Sequence, residues 1–179
     1  MDYYKNIDTL STDNSGQPYK AKGVQYRVVT DLASEPVDID FFKSHARIDF
    51  DTDDALVISY LKAARQELER WSQLSFGVKT IGLTALELPK NYYMMFGKVD
   101  TVTTADFTNI GDILKEGGTD INIEFTTLDW IDETIKIAVC RQAASLYINR
   151  ENVTDTQFSS QSLQNEAKTM LQSYRNVVI

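Results

Sequence analysis

Between Thr52 and Leu74 apolar residues recur with the period of an α-helix, and no other stretch restricts the fold as strongly. At 100° per residue Val57, Tyr60, Leu61, Ala64, Leu68 and Trp71 share one face, while Lys62, Gln66, Glu69 and Arg70 fall on the other. Asp51 or Thr52 is placed to cap this helix, and Asp53 and Asp54 in its first turn complement the helix dipole. About 23 residues at ~1.5 Å each give a rod of roughly 35 Å, which needs a partner along its apolar face.

The partner expected is a second long helix, about Asp129 to Asn149. Ile131, Ile135, Ala138, Val139 and Leu146 lie on one side of it, but Ile137, Cys140, Ala144, Tyr147 and Ile148 lie on the other. A helix apolar on both sides is either central or held between its own core and a neighbouring subunit. Ile137, Ala144, Tyr147 and Ile148 are therefore the expected subunit-interface residues.

A short helix, Ile39 to Ala46, follows the potential cap Asp38. A last helix, about Ser160 to Arg175, carries Leu163, Ala167, Met170, Leu171 and Tyr174 on one face. Residues 76–128 differ. Ile81, Leu83 and Ala85 alternate with Gly82 and Thr84, Ile121-Asn122-Ile123-Glu124-Phe125 alternates again, and Gly117-Gly118 marks a turn between strands. Val24 to Thr30 also reads as a strand. The expected fold is mainly α: a helical bundle of one short helix, long helices at 52–74 and 129–149 and a C-terminal helix at 160–175, with a small β-rich insert at about 76–128. Residues 1–23, polar and aperiodic, are expected as an extended or flexible arm before one domain at 24–179.

Composition removes several function classes. With 18 Lys and Arg against 26 Asp and Glu, the net charge is -8, which disfavours phosphate-reading nucleic-acid binding and docking on anionic lipid. No apolar run approaches the roughly 20 residues that span a bilayer, and the first residues, Met1-Asp2-Tyr3-Tyr4-Lys5, lack the basic-then-apolar order of a signal peptide. With one cysteine, Cys140, no intrachain disulfide can form. The expectation is a chain made and kept inside a cell, without a membrane partner.

No catalytic or cofactor constellation emerges. His45 is the only histidine, so neither a zinc spacing nor a nucleophile–base pair can be drawn, and no phosphate-cradling glycine motif exists. Asp49, Asp51 and Asp53 imitate the start of a calcium loop. Position 6, where glycine makes the bend, is Asp54, and position 12, where a bidentate Glu is needed, is Tyr60. Helix capping explains the same residues. Cys140 in mid-helix reads as a small buried hydrophobe, and Tyr92-Tyr93-Met94-Met95-Phe96 as core rather than contact surface. The residues lead to no catalytic group, no metal and no cofactor.

The ordered run of local patterns does carry a resemblance. Asp38-x-x-Phe41-Phe42-Lys43-Ser44-His45-Ala46-Arg47-Ile48-Asp49, then Asp53-Asp54-Ala55-Leu56, then Tyr60-Leu61-x-Ala63-Ala64-Arg65-x-x-Leu68-Glu69 resembles the opening of the phage head–tail connector (adaptor) family. Ala46 stands where that family usually has Leu. Val24 to Pro36, Phe96 to Val102, Ile131 to Glu151 with its Leu146-Tyr147 and Arg150-Glu151, and Ala167 to Arg175 are similar to later parts of the same family, in order. The resemblance covers about residues 24–175.

It implies a structural virion protein: a subunit of a ring adaptor, a dodecamer, that docks on the portal protein and receives the next neck or tail protein. DNA would pass through its channel without specific binding. The chain would sit in the host cytoplasm until assembly. The apolar C-terminal tip, with Tyr174, Arg175, Val177, Val178 and Ile179, is the expected partner contact on the portal. The alternatives are another neck or tail-completion protein and an acidic DNA-mimic inhibitor; a mimic should array its carboxylates like a duplex, whereas here they are scattered.

Overall fold

The computed structural model describes residues 4–5, 10–12, 18–49, 51–148 and 165–174. The chain forms two compact units, each assembled from separated stretches of sequence. One takes the chain up to Leu32 and then Gln73–Trp130; the other takes Ala33–Ser72 and Ile131–Arg175.

Among the described residues, the regular structure of the first unit is all strand. It contains β1 (Tyr4–Lys5), β2 (Leu10–Thr12), β3 (Pro18–Lys20), β4 (Gln25–Thr30), β5 (Thr80–Leu88), β6 (Tyr92–Tyr93), β7 (Val99–Val102), β8 (Asn109–Ile110), β9 (Ile113–Leu114) and β10 (Gly118–Thr127). Five strands build one antiparallel sheet in the order β1-β4-β5-β10-β7. A hairpin β2-β3 and a small sheet β6-β9-β8 complete the unit. The register follows from the alternation of the two longest strands. Ile81 faces Phe125, Leu83 faces Ile123 and Ala85 faces Ile121, and all six are buried. A slip by one residue would turn this set to solvent.

Tyr26 of β4 enters the same core, with its ring edge-on to Phe96 at 5.2 Å and to Phe125 at 6.5 Å. Its hydroxyl accepts the Met95 N–H at 3.0 Å and lies 3.1 Å from the Tyr92 hydroxyl. Tyr92, Met94, Met95 and Phe96 are all buried, so the aromatic segment belongs to the core. Gly117 is obligatory for a local reason: a Cβ there would stand 2.5 to 2.6 Å from backbone atoms of Leu88, Pro89 and Lys90.

The second unit is helical: α1 (Ile39–Ala46), α2 (Asp54–Ser72), α3 (Glu133–Ile148) and a short α4 at 165–170. Asp38 caps α1 through its carboxylate, which accepts the Asp40 N–H at 2.8 Å. Arg47 ends that helix in the left-handed region at φ 55°. Val57, Leu61, Ala64 and Leu68 of α2 are buried as the periodicity predicts. The helix is shorter than the expected 52–74, and α3 shorter than 129–149, each at its ends.

The expectation of a mainly helical bundle is thus corrected. Among the described residues helix is confined to one of the two units, and the sheet is no insert within residues 76–128. β4 lies before the first helix and pairs with β5, bringing Tyr26 opposite Leu83. Residues 21–23, assigned by sequence to the arm, belong to this unit, as β1, β2 and β3 before them do: Ala21 is buried and the Lys22 ammonium bonds Glu87 at 2.7 Å. Local periodicity reveals that a segment is a strand but not which distant segment satisfies its backbone groups.

The second unit holds a buried charge. Arg65 is fully buried, and its guanidinium grips Glu35 at two points, Nε at 2.7 Å and Nη2 at 3.0 Å, while Nη1 donates to Glu69 at 3.0 Å. The Glu69 side chain is only 2% exposed, against 20% for Glu35. Removing one partner of such a group leaves the other as an uncompensated buried charge, at a cost of about 3–5 kcal/mol. We expect Arg65→Met to lower stability by about that amount in urea unfolding. Arg65→Met with Glu69→Leu should recover much of the loss, because Glu35 alone can still reach water.

Candidate assembly surfaces

α3 is anchored at both ends. At its start Asp132 accepts the Ile135 N–H at 2.9 Å and the Tyr174 hydroxyl at 2.5 Å. Burial pushes the Asp132 carboxyl up, but the bonds from Tyr174, Ile135 and Thr134 outweigh it and hold the group below the ordinary carboxylate value. At its end Tyr147 donates to Asp53 at 3.1 Å, and its ring meets Tyr60 edge-on at 6.2 Å. Along its length Gln142 donates to Glu67 at 2.6 Å, and Arg141 pairs with Glu166 of α4. Ala167 and Leu171 are buried, so α4 docks through apolar contact, with Lys168 paired to Glu67 at 3.3 Å.

Among the described residues, α3 is buried unevenly around its circumference. Ile135, Ala138, Val139, Cys140 and Ala143 are buried, whereas Ile137, Ala144 and Tyr147 are half-buried and Ile148 is 45% exposed. Of the four residues expected at a subunit interface, Ile137, Ala144 and Ile148 lie on the less buried side of the helix, while Tyr147 is engaged by Asp53 and Tyr60 of its own chain. Cys140, placed by periodicity with that side, is inside, and burial pushes its thiol up to about 11, so it stays protonated. His45 is exposed in the last turn of α1.

The other expected sites fall out differently. Tyr174 is half-buried, and its hydroxyl is spent on Asp132. Arg175, Val177, Val178 and Ile179 lie outside the described residues. The cap position of α2 falls at Asp53, whose carbonyl accepts the Val57 N–H at 2.8 Å, rather than at Asp51 or Thr52. Asp51 turns to Lys43 instead, and Asp54 joins it at 2.9 Å. Bonds from Asp51 first, and then Asp54, hold the Lys43 ammonium up at about 12. The acidic run at the start of α2 thus converges on a lysine of α1.

Sequence reading missed the Arg65 cluster. The helical wheel put Glu69 on the solvent face, and Glu35, from a different segment, gave no local signal. The i,i+4 spacing of Arg65 and Glu69 was the one available hint.

Residues 36–175 match the family described as phage gp6-like head-tail connector protein. The chain belongs to that family. It is a structural protein of the phage neck, joining head to tail, and the family is a class of virion connectors rather than of enzymes. No curated protein sequence matches this connector. Among solved structures its fold is similar to chains of gene transfer agent particles. These are from the virion of the native particle (TM-score 0.63), the neck of the empty particle computed with C6 symmetry (0.62) and the neck of the native particle computed with C12 symmetry (0.60). Each is 18% identical, with 86% of this chain and 96% of the other covered.

The Tyr174–Asp132 bond has a pH signature. The folded-state pKa of Asp132 is depressed, so its contribution is complete above the unfolded value of about 4 and drains as pH falls through the lower folded value. Tyr174→Phe should cost about 1 kcal/mol at pH 7. Thermal melts between pH 7 and pH 3 should show a shallower acid loss in the variant than in the parent.

Proposed function

We propose that this connector works as one subunit of a closed ring, twelve in the assembled neck, which docks on the portal protein and receives the next neck or tail protein. The observation that carries the reading is the family match from residue 36 to 175. The sharing of fold with chains in necks computed with C12 symmetry supports the ring. A cyclic ring is built from one repeated heterologous contact that closes. The less buried side of α3, with Ile137, Ala144 and Ile148 and the adjoining Tyr147, is the surface we assign to the neighbouring subunit. The net charge of -8 suits a ring through which DNA slides without being retained. Before assembly the chain resides in the host cytoplasm. The C-terminal residues Tyr174, Arg175, Val177, Val178 and Ile179 make the portal contact, with the apolar 177–179 tip as its anchor and Tyr174 acting through its ring.

The test adds purified protein to DNA-filled, tail-less heads and images the portal vertex by electron microscopy. A new ring beneath the portal is expected; bare vertices with folded protein would overturn the reading. Ile148→Glu should abolish the ring while leaving the melting temperature of the isolated chain unchanged, since Ile148 is exposed. Deleting residues 177–179 should weaken portal binding, measured by co-sedimentation with heads, again without loss of fold.

A further inference from the structure

The five-stranded sheet ends at β7, and an edge strand presents bare N–H and C=O groups on which another chain can build. Asp100 and Thr101 in this strand are exposed. Three of its backbone groups are nevertheless occupied by side chains rather than by a strand. The Asn109 Nδ2 donates to the Asp100 carbonyl at 3.3 Å, and its Oδ1 accepts the Val102 N–H at 3.2 Å. The Asp112 Oδ1 accepts the Val99 N–H at 2.8 Å.

A side-chain amide carries the same donor and acceptor as a peptide. Asn109 bridges Asp100 and Val102 as one residue of a parallel neighbouring strand would, its donor on the first carbonyl and its acceptor on the second amide. Both capping residues are themselves held in place. Asn109 Nδ2 also donates to the Gly111 carbonyl at 2.9 Å, the Asp112 carbonyl accepts the Met94 N–H at 2.8 Å, and the Tyr93 hydroxyl donates to Asp112 Oδ2 at 3.3 Å. Thr108 beside them is clamped by Glu116, through its N–H at 2.6 Å and its hydroxyl at 2.8 Å. The hairpin β8-β9 therefore presents the two side chains to β7 in a fixed position, while pairing through its own backbone with β6 and not with β7.

We propose that Asn109 and Asp112 are an edge guard: they close the β7 end of the sheet against pairing with a strand of another molecule. A chain that accumulates before it assembles needs such a device, since unguarded edges join without limit. The guard does not depend on which partners the neck supplies.

The test uses the full-length protein. Amide hydrogen exchange on the unchanged chain should show Val99 and Val102 protected; exchange at both at the rate of an open loop would overturn the proposal. Asn109→Ala should speed exchange at Val102 roughly tenfold or more, leaving Thr103, which bonds the Glu124 carbonyl at 2.8 Å, unchanged. The same variant should show concentration-dependent association in sedimentation beyond that of the unchanged protein. Thr101→Cys placed in the Asn109→Ala background should then cross-link copies through β7. A folded Asn109→Ala that associates no more than the unchanged chain would sink the idea. Should Asn109→Ala fail to fold, Asn109→Thr, too short to span both backbone groups, takes its place with the same two opposed results.

Discussion

A guanidinium with no solvent contact is the constraint around which the helical unit is arranged. Desolvating a charge costs several kcal/mol, and only close, well-aligned partners offset it. Arg65 finds them in Glu35, from the segment before α1, and in Glu69, one turn along its own helix. The planar fork suits a two-point grip on Glu35, which a lysine could not reproduce. The consequence is positional: the stretch leading into α1 is tied to the middle of α2, and α2 must present Arg65 and Glu69 inward together with Leu61, Ala64 and Leu68.

The strand unit obeys a different constraint, backbone satisfaction. β5 and β10 supply the longest ladder, but their core would be incomplete without β4, which delivers Tyr26 against Phe96 and Phe125. The polar atoms that Tyr26 brings inside are matched by the Met95 amide and the Tyr92 hydroxyl. At the β7 edge, side chains from β8 and the turn before β9 bond three backbone groups that a sixth strand would otherwise meet.

In a neck protein these features divide the labour. Buried ion pairs in the helical unit and the aromatic core of the strand unit give each one arrangement, and the less buried side of α3 is the surface we propose for the neighbouring subunit. Its ends are fixed by Tyr174 on Asp132 and Tyr147 on Asp53, so that this side is presented on a rigid helix. Such anchoring would reduce the ordering cost of the contacts proposed for the ring.

The helices at 39–46, 54–72 and 133–148 and the paired alternation of Ile81, Leu83, Ile123 and Phe125 were legible in the sequence, because a 3.6- or 2-residue period is a local property of the chain. So was the family, through motifs that are themselves short and ordered. The partnerships were not legible. That β4 joins β5 across the helical segment, that Glu69 faces inward to share Arg65 with Glu35, that Asp51 binds Lys43 rather than capping α2, and that Asn109 seals β7 are all pairings between residues far apart in sequence or between groups whose periodic position suggested another role. Periodicity reports which face of an element avoids water. Only the tertiary structure decides which donor meets which acceptor, because that choice is made by geometry after the chain has closed on itself.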